Sequence, residues 1–278
     1  MTTKQVFFPG LEGWEETKAT LHAYSKVVRA VPRAHAVPHP KWWHISLKVL
    51  PDGLVTENMP LPGSGVFYLK MNLQSHAIEL VTSHGDRQSW PMAAGLTANQ
   101  LAEQVFGAIA GLGVEGDYVR SKFENDEPRG YIPSQAETYF SALVNIDLLF
   151  KKHRATLNGE VGPVQLWPHG FDLSFEWFGT RQIEAEEHGQ KSNFPSQINL
   201  GFSPGEPSHP QPYFYSNPFP FEEEIVNSPL PHGMWFTESW KGSVLEYASL
   251  VDDPNAAQKV LAYAKAVFEI ASPGLMAT

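Results

Sequence analysis

The sequence has no cysteine among its 278 residues. This absence excludes disulfides, thiolate nucleophiles, thiolate zinc sites and iron–sulfur clusters together. Any metal would have to be bound by histidine, aspartate or glutamate. Chemistry at a functional site must therefore come from carboxylates, imidazoles, hydroxyls and cationic side chains.

The sequence also lacks a run of 18 apolar residues, which a membrane-spanning helix needs. Its first residues, MTTKQVFFPGLEGW, do not contain a basic segment followed by an apolar stretch and a small-residue cleavage site. We therefore expect a cytoplasmic protein with no membrane partner.

Positive charge is scarce, with 20 Lys and Arg against 30 Asp and Glu and a formal net charge of −10. A chain with this balance repels a phosphate backbone. Its basic residues are scattered along the sequence and do not cluster on one predicted element. The charge pattern therefore predicts no nucleic-acid partner.

Apolar and aromatic residues are plentiful: 42% of the chain is hydrophobic, with 8 Trp, 9 Tyr and 17 Phe. This content predicts a sizeable core. Four segments have the spacing of amphipathic helices. Two of them begin with a capping box, Thr97 with Gln100 and Ser134 with Glu137, and the last begins at Asp253 followed by proline. The predicted helices cover residues 14–30, begin at residues 97 and 134, and cover residues 253–271.

Between the helices the period changes to two, which is typical of strands. Residues 42–50 and 66–73 alternate in this way and are separated by turn residues, and strand-like segments recur after residue 170. The fold class is therefore predicted as α+β, with two helix–antiparallel sheet–helix halves and an internal structural duplication. The predicted halves are residues 1–130 and 131–278, and one compact domain remains an alternative.

The segment FDLSFEWFGTR, residues 171–181, predicts a central strand and a turn. Its apolar residues alternate without interruption, so all four should be buried. Asp172 needs a partner beside so much apolar surface, and we expect it to pair with Arg181 across a hairpin or to bind backbone groups at the turn. The apolar residues are Phe171, Leu173, Phe175 and Trp177.

Residues 203–231 are rich in proline and aromatic residues. A structureless loop of this length is uncommon in a compact domain and is often a lid or a binding loop. We interpret the segment as an arm that packs over the core or over a neighbouring subunit, and a binding loop is the alternative.

Several motifs resemble one bacterial family that is catalogued only as a domain of unknown function. They are GPVQLWPHGFDL at residues 162–173, FGTR at 178–181, GFSPG at 201–205, YFYSNP at 213–218 and WWH at 42–44. The sequence differs from the family pattern at Lys41, at Gln165 and around Glu176. The resemblance implies a fold and a region of interest, and it implies no reaction.

Three catalytic or metal-binding patterns are not supported by their contexts. The GFSPG motif matches the nucleophile elbow of serine hydrolases, but Pro204 lacks the required N–H and further prolines prevent a helix. Histidines 35, 39 and 44 are separated by prolines, so we expect a metal-free protein without a cofactor. Asp172 and Glu176 would lie roughly 13 Å apart along a strand, too far for a glycosidase pair.

The strand faces that carry polar and aromatic residues together have the composition of a small-molecule pocket. We therefore predict a small-molecule-binding protein or a minor enzyme that uses a cleft between the two halves. His44 is the weak candidate for an acid or base because its ordinary pKa is closest to neutrality. The alternative is a non-catalytic homo-oligomeric scaffold or interaction protein, a homodimer in the simplest case. The candidate ligand-binding residues are Trp42, His44, Asp172, Arg181 and Tyr215.

Overall fold

Along the chain, a pair of helices brackets each of two antiparallel sheets, which confirms the α+β class. The computed structural model describes residues 7–187 and 190–277. None of the helices in this described part is long and apolar enough to cross a membrane. The helices are α1 (Glu15–His35), α2 (Ala98–Gly111), α3 (Pro133–Arg154) and α4 (Ala256–Ala271).

The chain forms two compact units whose segments interleave along the sequence. The first unit comprises Leu11–Val144 and Gln165–Phe171, and the second comprises Met1–Gly10, Asn145–Val164 and Asp172–Thr278. Helix α3 begins in the first unit and ends in the second. Independent folding of halves divided at residues 130 and 131, and their origin by duplication, stay predictions.

The sheet of the first unit is a meander in which neighbours in sequence are mostly neighbours in space. Its order is β1-β2-β4-β5-β6, and β3 pairs with β4. Leu47 and Leu166 form an isolated bridge in the same unit. The strands are β1 (Lys48–Leu50), β2 (Gly53–Val55), β3 (Met59–Pro60), β4 (Val66–Asn72), β5 (Ala77–Thr82) and β6 (Arg87–Pro91). A further short strand, β8 (Gln165–Trp167), lies in this unit's second segment and is not one of the six strands of this sheet.

The predicted strand over residues 42–50 is wrong for most of its length. Trp42 has a φ of 60°, which is left-handed, and residues 43–45 form a single 3₁₀ turn. The Ser46 hydroxyl closes this turn by donating to the carbonyl of Trp43 at 2.7 Å. Four consecutive residues, 44–47, are buried, which a strand with one buried face cannot achieve. The strand therefore begins only at Lys48.

The helix boundaries follow local capping. The Thr97 box is confirmed, because its hydroxyl accepts from the Gln100 N–H at 3.1 Å and the Gln100 side chain accepts from the Thr97 N–H at 2.9 Å. Ser134 is not a cap, because α3 already begins at Pro133. The last helix, α4, begins three residues later than predicted. Just before this helix, the carboxylate of Asp253 accepts a hydrogen bond from the backbone N–H of Asn255.

The sheet of the second unit is built around a long hairpin. Its strand order is β13-β14-β11-β10-β9-β7, and β12 pairs with β10. Strands β9 and β10 pair antiparallel over most of their lengths. The strands are β7 (Glu160–Val161), β9 (Asp172–Glu187), β10 (Gln190–Ser203), β11 (Tyr213–Ser216), β12 (Pro218–Phe219), β13 (Met234–Phe236) and β14 (Gly242–Glu246).

One face of this second sheet is apolar and is covered by helices of the same unit. Phe150 of α3 contacts Phe175 and Phe214, with ring centroids 6.1 Å from each. Tyr263 of α4 shares a hydrogen bond of 2.7 Å with Ser243 of β14. The predicted burial is confirmed for all four apolar residues of the 171–177 segment.

Two other predictions for this region are wrong. The turn expected at FGTR is absent, because β9 continues to Glu187. The strand rise of about 3.3 Å per residue then separates Asp172 from Arg181 by roughly 30 Å, so no hairpin joins them. The segment 203–231, predicted as an arm packed over the core or over a neighbouring subunit, instead contributes β11 to the sheet itself, between β10 and β14.

Truncation of the covered face should be strongly destabilising. Phe175→Ala removes a ring that is 1% exposed, and we expect the free energy of unfolding to fall by about 3–5 kcal/mol. Urea unfolding followed by circular dichroism measures the change. The matched control is Phe219→Ala on β12, where the ring is 39% exposed, and a similar loss in both variants would contradict the assignment of the core.

A buried imidazole makes this core sensitive to acid. Burial lowers the pKa of His153 from its ordinary 6.5 to about 4. Between these two pH values the unfolded chain binds a proton that the folded protein does not, so stability is lost as the pH falls. We expect this residue to remove about 3 kcal/mol between about pH 7 and about pH 4. Urea titrations of His153→Leu should show a shallower loss, and an unchanged pH dependence would contradict the argument.

Candidate functional site

The structure brings Trp42 and His44 together in the first unit. Their rings stack with centroids 5.6 Å apart, and the guanidinium of Arg33 lies 5.8 Å from the Trp42 ring. Trp42 is 53% exposed, whereas His44 is 6% exposed. Trp42 is therefore open to a ligand, and His44 lies underneath.

The hydrogen bonding of His44 favours a structural role over acid–base chemistry. Its Nδ1 accepts a hydrogen bond of 3.0 Å from the backbone N–H of His39, which needs an unprotonated nitrogen. Burial, followed by the charges of His39 and Arg33, lowers the pKa of His44. The ring is thus neutral near pH 7 and closes the loop from residue 39 to residue 44.

The other three candidate residues lie in the second unit, where two of them meet. The Tyr215 hydroxyl donates to the carboxylate of Asp172. Arg181 lies elsewhere on the same strand and pairs with Glu222, and it also donates to the carbonyl of Gly274 at 3.1 Å. The structure therefore brings Asp172 and Tyr215 together and gives Arg181 a separate structural contact.

Asp172 and Tyr215 belong to a larger polar surface on the second sheet, opposite its apolar face. Register places Ser174 and Tyr215 on either side of Gly201, and Ser203 and Glu246 on either side of Tyr213. Two residues before Ser174 on β9, Asp172 continues this register to the position beside Ser203. We call this surface the acidic–aromatic face; it consists of Asp172, Ser174, Gly201, Ser203, Tyr213, Tyr215 and Glu246, with Glu206, His209, Phe236 and Trp240 from neighbouring segments.

Gly201 has a steric role on this face. A Cβ at this position would lie 2.1 Å from Cζ and 2.5 Å from the hydroxyl oxygen of Tyr215. The Tyr215 ring therefore lies directly over the β10 backbone and reaches across to Asp172 on β9. This contact gives the first glycine of the GFSPG motif a packing function in place of a nucleophile elbow.

Two tyrosines on this face are held in their protonated form. Burial, and then the charge of Asp172, raise the pKa of Tyr215 well above its ordinary value. Burial and then the Glu206 carboxylate raise the pKa of Tyr213, whose hydroxyl donates to Glu206 at 3.2 Å. Neither phenol can serve as a base near pH 7, so the pair is suited to binding and positioning.

The rest of the face combines a histidine–carboxylate pair with stacked rings. His209 Nε2 lies 3.1 Å from Glu246, and its ring centroid is 4.3 Å from that of Tyr213. Trp240 stacks on Tyr213 at 6.4 Å and packs against Phe236 at 4.7 Å. Three carboxylates therefore lie among five rings: Asp172, Glu206 and Glu246 among Tyr213, Tyr215, His209, Phe236 and Trp240.

The matching family model covers residues 8–274 and so contains both candidate regions. The chain belongs to the family of unknown function DUF5996. No curated protein and no solved structure matches it. Membership in DUF5996 confirms the resemblance drawn from the motifs, and it assigns no reaction to the residues described above.

The sequence predicts Asp172 and Tyr215 as site residues of this DUF5996 chain, but it does not predict most of their neighbours. The alternation of Tyr213, Phe214 and Tyr215 is a signal that places both tyrosines on one strand face. His209, Glu206 and Trp240 carry no such signal, because they come from connecting segments. The described residues contain no group of three His, Cys, Asp or Glu side chains placed to hold a metal ion.

A methyl group at Gly201 should disrupt this face selectively. Gly201→Ala pushes the Tyr215 ring away from Asp172, so we expect changed near-ultraviolet circular dichroism from the tyrosines and a lower melting temperature. The matched control is Gly107→Ala in α2, where an added Cβ meets nothing within 4 Å. That control should gain about 1 kcal/mol. A native aromatic spectrum in Gly201→Ala would contradict the proposed steric role.

Proposed function

We propose that this chain binds a small organic cation on the acidic–aromatic face of the second unit. The observation that supports this most is the position of three carboxylates among aromatic rings on adjacent strands and their connecting segments. Carboxylates supply only acceptors when ionised, and aromatic faces attract cations through their quadrupoles. Both properties select a positively charged ligand with an apolar body.

The absence of competing cations supports the same ligand class. Neither lysine nor arginine occupies a position of this face on the four central strands. These positions are residues 172, 174 and 176 of β9, residues 199, 201 and 203 of β10, residues 213 and 215 of β11, and residues 242, 244 and 246 of β14. The nearby Lys241 ammonium is already paired with Glu223. These strand positions therefore add no lysine or arginine to oppose the carboxylates, and the local field attracts cations.

Choline and its neutral isostere 3,3-dimethyl-1-butanol test the proposal directly. They have similar shapes, so only charge separates them. We expect choline to raise the melting temperature and to give a saturable calorimetric isotherm, while the alcohol gives neither. Equal binding of the two compounds would overturn the cationic class, and no binding of choline or of a small panel of larger quaternary amines would overturn the site.

Asp172→Asn separates a binding role from a structural one. The amide oxygen can still accept from Tyr215, but the negative charge is lost. We expect a nearly unchanged melting temperature with at least fivefold weaker choline binding. Asp117→Asn, at an exposed position of the first unit, is the matched control and should bind choline as the wild type does. A markedly lower melting temperature for Asp172→Asn alone would assign the residue to the fold.

A homo-oligomeric scaffold is the competing hypothesis, and a homodimer is its simplest form. It is favoured if light scattering gives twice the chain mass of 31.0 kDa and Asp172→Asn leaves every ligand response unchanged. The cleft between halves, with Trp42, His44 and Arg181 as further ligand contacts, stays a prediction. A minor enzymatic activity would depend on His209, because the neighbouring tyrosines remain protonated.

A further inference from the structure

A second feature, in the first unit, is a line of basic side chains on α1. Residues 18, 22, 26, 29 and 33 follow the spacing of one helix face. The scattered distribution of basic residues inferred from the sequence is therefore wrong for this helix. The aligned residues are Lys18, His22, Lys26, Arg29 and Arg33.

A cavity of about 310 Å³ opens beside this line, between α1 and residues 121–129 of the same unit. Its volume is at the lower end of the range for small-molecule sites, roughly 300–1,000 Å³. Lys26 and His22 line one side, and Lys122, Asn125 and Arg129 line the other. Glu124 and Glu127 also border the cavity.

Lys26 and Arg129 of this cavity, and the neighbouring Arg29, are poorly neutralised by the protein. No carboxylate in the described part of the chain lies within ion-pair distance of Lys26 or Arg29. The Nε atoms of Arg29 and Arg129 are buried, and neither has a hydrogen-bond partner among the described atoms. The Nη2 of Arg129 donates to Asn125 at 2.7 Å, and Glu127 lies 3.8 Å away with a side chain that is 76% exposed.

These cations also repel one another. Burial, followed by the charges of Arg129 and Arg29, lowers the pKa of Lys26. Burial and then Arg33 lower the pKa of Arg29. Partly buried like charges weaken the folded state unless a counter-charge is present. Such local conflicts are typical of functional sites, where stability is exchanged for binding.

We propose that this cavity binds a small oxyanion between the Lys26 ammonium and the Arg129 guanidinium. A carboxylate or phosphate oxygen would accept from both groups and relieve their mutual repulsion. The volume fits a dicarboxylate or a phosphate ester of a few carbons. His22, whose Nε2–H donates to the carbonyl of His169 at 3.0 Å, lines the same cavity.

Inorganic phosphate and succinate are the probes, and potassium chloride at equal ionic strength is the reference. Both probes supply the oxyanion, and the comparison distinguishes a phosphate site from a dicarboxylate site. We expect at least one of them to raise the melting temperature saturably beyond chloride. The full-length protein is used, and isothermal titration calorimetry gives the Kd.

Lys26→Met removes the charge while keeping the length of the side chain. We expect two effects: a higher melting temperature without ligand, because repulsion is relieved, and at least tenfold weaker binding of the anion. Lys26→Arg should retain binding. The matched control is Lys152→Met, at an exposed position of the second unit, which should bind as the wild type does.

The proposal fails if neither probe exceeds chloride, or if Lys26→Met binds as tightly as the wild type. It also fails if Lys152→Met loses as much affinity as Lys26→Met, because the effect would then reflect net charge. These results are independent of the choline experiments, since the cavity and the acidic–aromatic face belong to different units.

Discussion

The alternation of side chains across β9, β10 and β11 is the constraint on which the second unit depends. A strand turns successive side chains to opposite faces, so each apolar residue beneath the helices is followed by one on the other face. Leu173, Phe175 and Trp177 fill the core, and Asp172 and Ser174 are thereby fixed on the acidic–aromatic face. The residues that stabilise the sheet therefore also hold the proposed site in place, because both lie on the same rigid central strand.

The two proposed sites carry opposite charges, and they differ in how far the protein itself satisfies their charged groups. On the acidic–aromatic face, Tyr213 donates to Glu206 and Tyr215 to Asp172, and Gly201 provides the space in which Tyr215 reaches Asp172. In the cavity beside α1, by contrast, cations are held close together with too few partners. The acidic–aromatic face favours a ligand that adds contacts to groups that are already hydrogen-bonded. The cavity favours a ligand that supplies the missing counter-charge.

Several errors of sequence interpretation share one physical cause. The spacing of apolar residues alone cannot distinguish a strand from a turn when both alternate exposed and buried residues. For this reason the sequence of the Trp42–Ile45 turn looks like that of a strand. The same limitation concealed the length of β9, because Gly179 and Thr180 look like turn residues until pairing with β10 carries the strand past them. Long-range pairing overrides local turn preference in that hairpin.

The sequence by itself determined the α+β class, the four helices, the Thr97 capping box, the burial of the 171–177 segment and the family. These features follow from short-range spacing and motifs, which depend only on residues that are close together in the sequence. Tertiary structure alone decided which polar groups meet. Tyr215 finds Asp172 because β10 lies between their strands, and Lys26 approaches Arg129 because α1 packs beside a distant segment. Contacts between residues far apart in sequence depend on strand order and helix packing, and no local pattern encodes them.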